Sequence, residues 1–229
     1  MTVRVIPTLA AMAEVYRLPA EGGPESPRFG AYVELGRAGV PVSGYNPMTS
    51  KPVLPTIERL LAIDAEGVAT VAAMATAQQL GWTEDLDLVL TLATPGMWTD
   101  RLATEVEHRL VGKGAREILV WSGEDTGEGA VASAAVAQVA REVWRERNGV
   151  PATVVAAAAQ EGLALSMAGM RGARSAEAAF VLEVLGDDDT LSSMVAYLYG
   201  DRAAEAMGYT PVGLGDRAGE SHAVALARE

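Results

Sequence analysis

The sequence predicts an α/β protein built on a parallel sheet, a three-layer-type core preceded by a mostly helical N-terminal region. Three observations carry that reading. Short apolar runs near residues 86–93, 117–121 and 153–157 have the length and composition of buried strands. The stretches between them are long enough for helical crossovers, which parallel neighbours require. Residues 1–82 show apolar positions at helical spacing, interrupted by Pro and Gly. The expected organisation is a helical region, residues 1–82, packed on an α/β core, residues 83–229, as one compact unit.

The elements follow in order. Pro7 opens a helix over residues 8–18, with Leu9, Met12, Val15 and Tyr16 on one face. Residues 19–27 hold three Pro and two Gly and form a loop. A second helix spans 28–36, with Phe29, Tyr32, Val33 and Leu35 available for packing. Four prolines between 41 and 55 force extended backbone before each of them and deliver the chain into a helix starting near Pro52 or Pro55. Residues 68–80 form an Ala-rich helix that Gly81 terminates. Its composition also suits a homo-oligomer interface.

The texture changes after residue 82. Residues 86–93 (Leu-Asp-Leu-Val-Leu-Thr-Leu-Ala) form the first strand, and residues 98–111 a helix aligning Trp98, Leu102, Val106 and Leu110. The second strand is 117–121. A long helix over 130–147 buries Val136, Val139, Val143 and Trp144, and Gly149 and Pro151 end it. The third strand is expected at 153–157. Helices follow at 160–170, 175–185 and 190–198, with a further turn at 201–207. Alternation of His222, Val224 and Leu226 points to a terminal strand over 221–227.

Composition narrows the function. The chain of 229 residues carries 18 Lys+Arg against 30 Asp+Glu, a net charge of −12, and has no Cys. That excludes disulfides, Cys-ligated zinc, iron–sulfur clusters and a cysteine nucleophile. A hydrophobic fraction of 49% excludes a disordered chain. No run approaches the roughly 18 apolar residues of a membrane span, and no basic, then apolar leader opens the chain. The expectation is a cytoplasmic protein that engages no membrane. Scattered basic residues argue against nucleic acid: the densest group, Arg141, Arg145 and Arg147, is interleaved with Glu142 and Glu146 and reads as a solvated helix end.

In open parallel sheets ligands bind beyond the carboxyl ends of the strands. That rule selects the loops at residues 94–97, 122–129 and 158–162. The middle one reads Ser122-Gly123-Glu124-Asp125-Thr126-Gly127-Glu128-Gly129, between a strand and a long helix. Its glycines permit close approach of backbone to a ligand, but the spacing fits neither glycine-rich phosphate motif, and its acids repel phosphate. The same acids suit a small polar molecule or a hard divalent cation, Mg²⁺, Mn²⁺ or Ca²⁺, held by Glu124, Asp125 and Glu128. They also serve the positive end of the helix that follows. Glu124 or Asp125 is the expected catalytic base, and Thr94, Ser122, Gly123, Thr126, Gly127 and Glu128 the ligand-binding set.

Outside this loop, Arg171 and Arg174 form a basic, flexible pair suited to a carboxylate or phosphate. Tyr45 and Asn46 open a proline-braced polar loop, residues 45–51, suited to a lid. His108 shares a helix face with Glu105 and is expected to be solvated. His222 lacks the Gly-x-Ser-x-Gly turn of a hydrolase nucleophile, and Asp187, Asp188 and Asp189 read as a helix cap. Two functional readings remain: a small-molecule-binding protein or enzyme using the carboxyl edge of the sheet, or a non-catalytic interaction or regulatory protein with an acidic surface.

Overall fold

A computed structural model describes residues 2–42, 45–49, 52–94, 101–112, 116–123 and 126–229. Among these residues it shows an α/β fold with a three-stranded parallel sheet and eleven α-helices. The strand order is β1 (Val3–Ile6), β2 (Leu86–Ala93), β3 (Glu117–Trp121), with β2 in the centre. Val5 pairs with Leu88 on one side, and Thr91 pairs with Leu119 on the other. The chain divides into two compact units, residues 1–99 with 116–135 and residues 100–115 with 136–229.

The first unit holds the sheet. β2 is buried along almost its whole length, as a central parallel strand covered on both faces must be, and its unbroken apolar run follows from that. β1 alternates buried Val3 and Val5 with exposed Arg4, which pairs with Asp87 at 2.8 Å. The outward amide of Val5 donates to the Thr70 hydroxyl at 3.1 Å, so the sheet edge is covered. Helix α1 (Leu9–Arg17) lacks a capping side chain of its own; Glu66 accepts from the amides of Thr8 and Leu9 instead. Helices α2 (Pro27–Arg37), α3 (Leu54–Ala62) and α4 (Ala65–Gln79) complete the crossover from β1 to β2. Ser26 caps α2 through the Phe29 amide.

The second unit is helical. It contains α5 (Arg101–Val106), a π-helical turn (Glu107–Val111), and α6 (Glu128–Asn148) from residue 136 onward. Then follow α7 (Val154–Met167), α8 (Ala176–Leu185), α9 (Leu191–Tyr199), α10 (Asp201–Ala206) and α11 (Ala218–Leu226). Val154, Ala157, Val195, Leu198, Leu214 and Ala223 are part of its core.

Three sequence expectations are corrected. The third strand of the sheet is not 153–157 but Val3–Ile6, within the region expected to be helical. Residues 153–157 instead open α7. The Thr153 hydroxyl accepts from the Ala156 amide, and the next two free amides, of Val154 and Val155, donate to the carbonyls of Asp188 and Gly186. The apolar run continues into Ala-rich sequence, where helix propensity prevails. Residues 221–227 are not a strand but lie largely in α11, which packs on α7. Gly162 makes that approach close: a Cβ there would stand 2.5 Å from the Ala223 carbonyl oxygen.

Among the described residues no single helix is long and apolar enough to cross a membrane.

Candidate functional site

The carboxyl edge of the sheet is built by register. Ala93 pairs with Trp121, and the Ser122 amide extends the pairing to the Ala93 carbonyl at 2.9 Å. Thr94 and Ser122 therefore leave adjacent strands side by side. Gly123 turns the chain with φ +91°, a conformation a side chain disfavours. The Gly127 carbonyl accepts from the amides of Ala130 and Val131, so Gly127 stands at the start of the 21-residue helix α6. Glu128 lies exposed in the first turn, where a negative charge complements the helix dipole.

Thr94 and Thr126 are each only 6% exposed. Their hydroxyls and that of half-buried Ser122 make no hydrogen bond to any described residue. Among the described residues the fully enclosed side-chain polar atoms without a partner are Trp82 Nε1 and the Tyr197 and Tyr199 hydroxyls, so the hydroxyls of Thr94, Ser122 and Thr126 are open to solvent rather than sealed in. Glu124 and Asp125 lie outside the described residues. Among the described residues, no cluster of three His, Asp or Glu side chains is arranged to hold a metal ion.

Tyr45 and Asn46 are engaged by the fold. Buried Tyr45 donates its hydroxyl to the Leu90 carbonyl of the central strand at 2.9 Å, and burial pushes its phenol pKa upward. The Asn46 carboxamide oxygen accepts from the Met48 amide in a local turn, and its carbonyl accepts from the Tyr16 hydroxyl. Arg171 and Arg174 belong to the second unit. Arg171 is exposed, and Arg174 pairs with Glu229. His222 is buried and accepts from the Ser175 amide through Nδ1 at 3.1 Å. Asp188 accepts from the Thr190 amide, and Thr190 caps α9 through the Ser193 amide.

A polar cluster in the second unit escaped sequence reasoning. Arg141 grips Glu161 with two bonds of 2.7 Å, both side chains being buried. Arg109 stands 3.1 Å from Glu220, 3.7 Å from Glu105 and 3.8 Å from Glu161. Arg217 bonds Glu105 at 2.7 Å and Glu220 at 2.9 Å, with its guanidinium 5.0 Å from the centre of the Tyr199 ring. Burial raises the Glu161 carboxyl, but Arg141 and Arg109 outweigh it and hold the pKa at about 2.

The π-helical turn feeds this cluster. Its irregular carbonyls at His108 and Arg109 are taken by the Arg145 guanidinium at 2.7 and 2.9 Å, and the Gln160 amide adds 2.6 Å to Arg109. His108 is therefore not a solvated partner of Glu105. It is buried, and burial together with Arg141, Arg145 and Arg109 lowers its pKa to about 4. Arg141 and Arg145 likewise do not form a solvated helix end, because both are packed inside. Comparison with protein families, curated proteins and solved structures gives no match.

Proposed function

We propose that the chain binds a small polar molecule at the carboxyl edge of its parallel sheet. The observation that carries the reading is the pair of open hydroxyls, Thr94 and Ser122, where two neighbouring strands end beside a glycine turn, with Thr126 just before the start of a long helix. Thr94, Ser122 and the backbone of Gly123 and Gly127 orient the ligand. Glu128, with Glu124 and Asp125 from the same loop, adds negative charge for a divalent cation or a polar substrate, and Asp125 or Glu124 serves as base if the bound molecule is turned over.

The test is a thermal melt with excess Mg²⁺, Mn²⁺ or Ca²⁺, and with glucose or adenosine. A ligand at about 100 times its Kd adds about 2.7 kcal/mol, which raises Tm by roughly 5–11 °C for a chain of this size. The expected result is a rise with one of these, lost in Thr94→Val and Ser122→Ala. No rise with any of them, or a rise that both variants retain, refutes the proposal.

A second reading, a non-catalytic interaction protein, rests on α8. One face of that helix enters the core through Ala178 and Val181, while the other exposes Phe180 (66%) and Val184 (61%) beside Ala176. An exposed apolar helix face marks a contact surface. Melts without any ligand response, together with self-association in sedimentation, favour this reading.

A further inference from the structure

The first unit contains a cleft of about 790 Å³ between the end of α1, the start of α2 and the start of α3. Its position is separate from the strand ends. Leu18, Pro19, Met48, Pro52 and Leu54 supply much of an apolar wall, and Arg28 supplies a cation. Tyr16, Arg17, Glu21 and Thr49 stand beside Arg28, so the lining is about equally polar and apolar, and the volume is of the order of a small-molecule site.

Arg28 is held in place without being neutralised. Its Nε donates to the Leu18 carbonyl at 2.9 Å, and its terminal nitrogens donate to the carbonyls of Tyr16 and Thr49 at 3.3 and 3.4 Å. The guanidinium lies 5.4 Å from the centre of the Tyr16 ring. Three bonds to three separate carbonyls fix its plane, and two of its five N–H groups remain. No carboxylate pairs with it among the described residues, although the chain has 30 acidic residues to 18 basic ones. The other arginine of the cleft, Arg17, already faces Glu14 and Glu58. Glu21 lines the cleft but is exposed, so water and salt screen it.

We propose that this cleft binds a small organic carboxylate, with its head on Arg28 and its apolar body along Pro19, Met48 and Pro52. A fixed guanidinium plane matches a carboxylate better than it matches a spherical anion, and the apolar side of the lining, Pro19, Met48 and Pro52, gives a carbon body something to lie against. The polar loop at residues 45–49 thereby acquires a role. Tyr45 and Asn46 anchor it, while Met48 and Thr49 face the ligand space.

The experiment is calorimetric titration of the full chain with sodium hexanoate, hexanamide and inorganic phosphate. Hexanoate is expected to bind saturably, with hexanamide and phosphate at least tenfold weaker. Arg28→Gln weakens hexanoate at least tenfold. Because that variant also loosens three backbone contacts, Ala20→Trp is measured beside it. Ala20 lines the cleft, so the indole fills the space while Arg28 keeps its carbonyls, and the folded variant loses binding. Failure of hexanoate to bind the wild-type chain overturns the proposal. So does equal binding of hexanamide or of phosphate, or unchanged binding in folded Ala20→Trp.

Discussion

Replacing Glu161 by Gln tests the buried cluster, because the substitution keeps the shape and removes the charge. The carboxylate is 1% exposed and takes two bonds of 2.7 Å from Arg141, with Arg109 3.8 Å away. A carboxyl held at about 2 rather than 4.5 has its charged form favoured by about 3 kcal/mol, at about 1.4 kcal/mol per tenfold. Breaking one side of a buried ion pair costs about 3–5 kcal/mol, because the surviving charge stays desolvated. Both routes therefore give the same size. Urea unfolding at pH 7 is expected to show a loss of about 3–5 kcal/mol, and Tm a fall of roughly 6–20 °C. The sign with pH follows. The folded pKa lies below the unfolded one, so the stabilisation is complete above about pH 4.5 and is lost as pH falls toward 2. Glu161→Gln lacks that component of the acid transition. The double variant Arg141→Met with Glu161→Leu removes both charges together and is expected to cost less than the sum of its single variants. A loss below about 1 kcal/mol in Glu161→Gln, or strict additivity in the double variant, refutes the reasoning.

Two further predictions concern other buried groups. His108 stays neutral down to about pH 4 in the fold but titrates near 6.5 when unfolded, so the unfolded chain takes up the extra proton and stability falls as pH drops from 6.5 to 4. His108→Leu is expected to flatten that part of a Tm-against-pH series; an unchanged slope would contradict the assignment. Tyr45→Phe removes the bond to the Leu90 carbonyl without leaving a cavity, and denaturant melts are expected to show a loss of about 0.5–1.5 kcal/mol.

How much of this was legible in the sequence depends on what each pattern reports. Leu86–Ala93 and Glu117–Trp121 are legible as strands because their apolar runs are bounded by turns and fit strand length. Val3–Ile6 escaped because four residues that include an exposed arginine give too little alternation to register. Residues 153–157 and 221–227 have the pattern of strands yet are helical, for one reason. A short apolar or alternating stretch does not distinguish a strand from the turn of a helix, and the deciding contacts are tertiary. For 153–157 they are the Thr153 cap and the carbonyls of Asp188 and Gly186; for 221–227, the close seat of α11 at Gly162.

The candidate site divides in the same way. Thr94 and Ser122 were found by position, since the ends of parallel strands are visible once the strands are. The ionic cluster was invisible because sequence spacing reports charges on the same helix. Arg141, Glu142 and Arg145 look like neighbours sharing water, yet the bidentate partner of Arg141 is Glu161, on another helix. What moves these charges inside is the composition of α7. Its small residues Ala157, Ala158 and Ala164 are buried, and Gly162 admits α11 closely, so helices approach until long side chains have no route to solvent. At that distance the longest polar side chains must find partners across the interface, because an unpaired buried charge costs more than the packing returns. The Ala and Gly content that looks featureless along the chain is thus the reason that five arginines and four glutamates are drawn into and around one cluster.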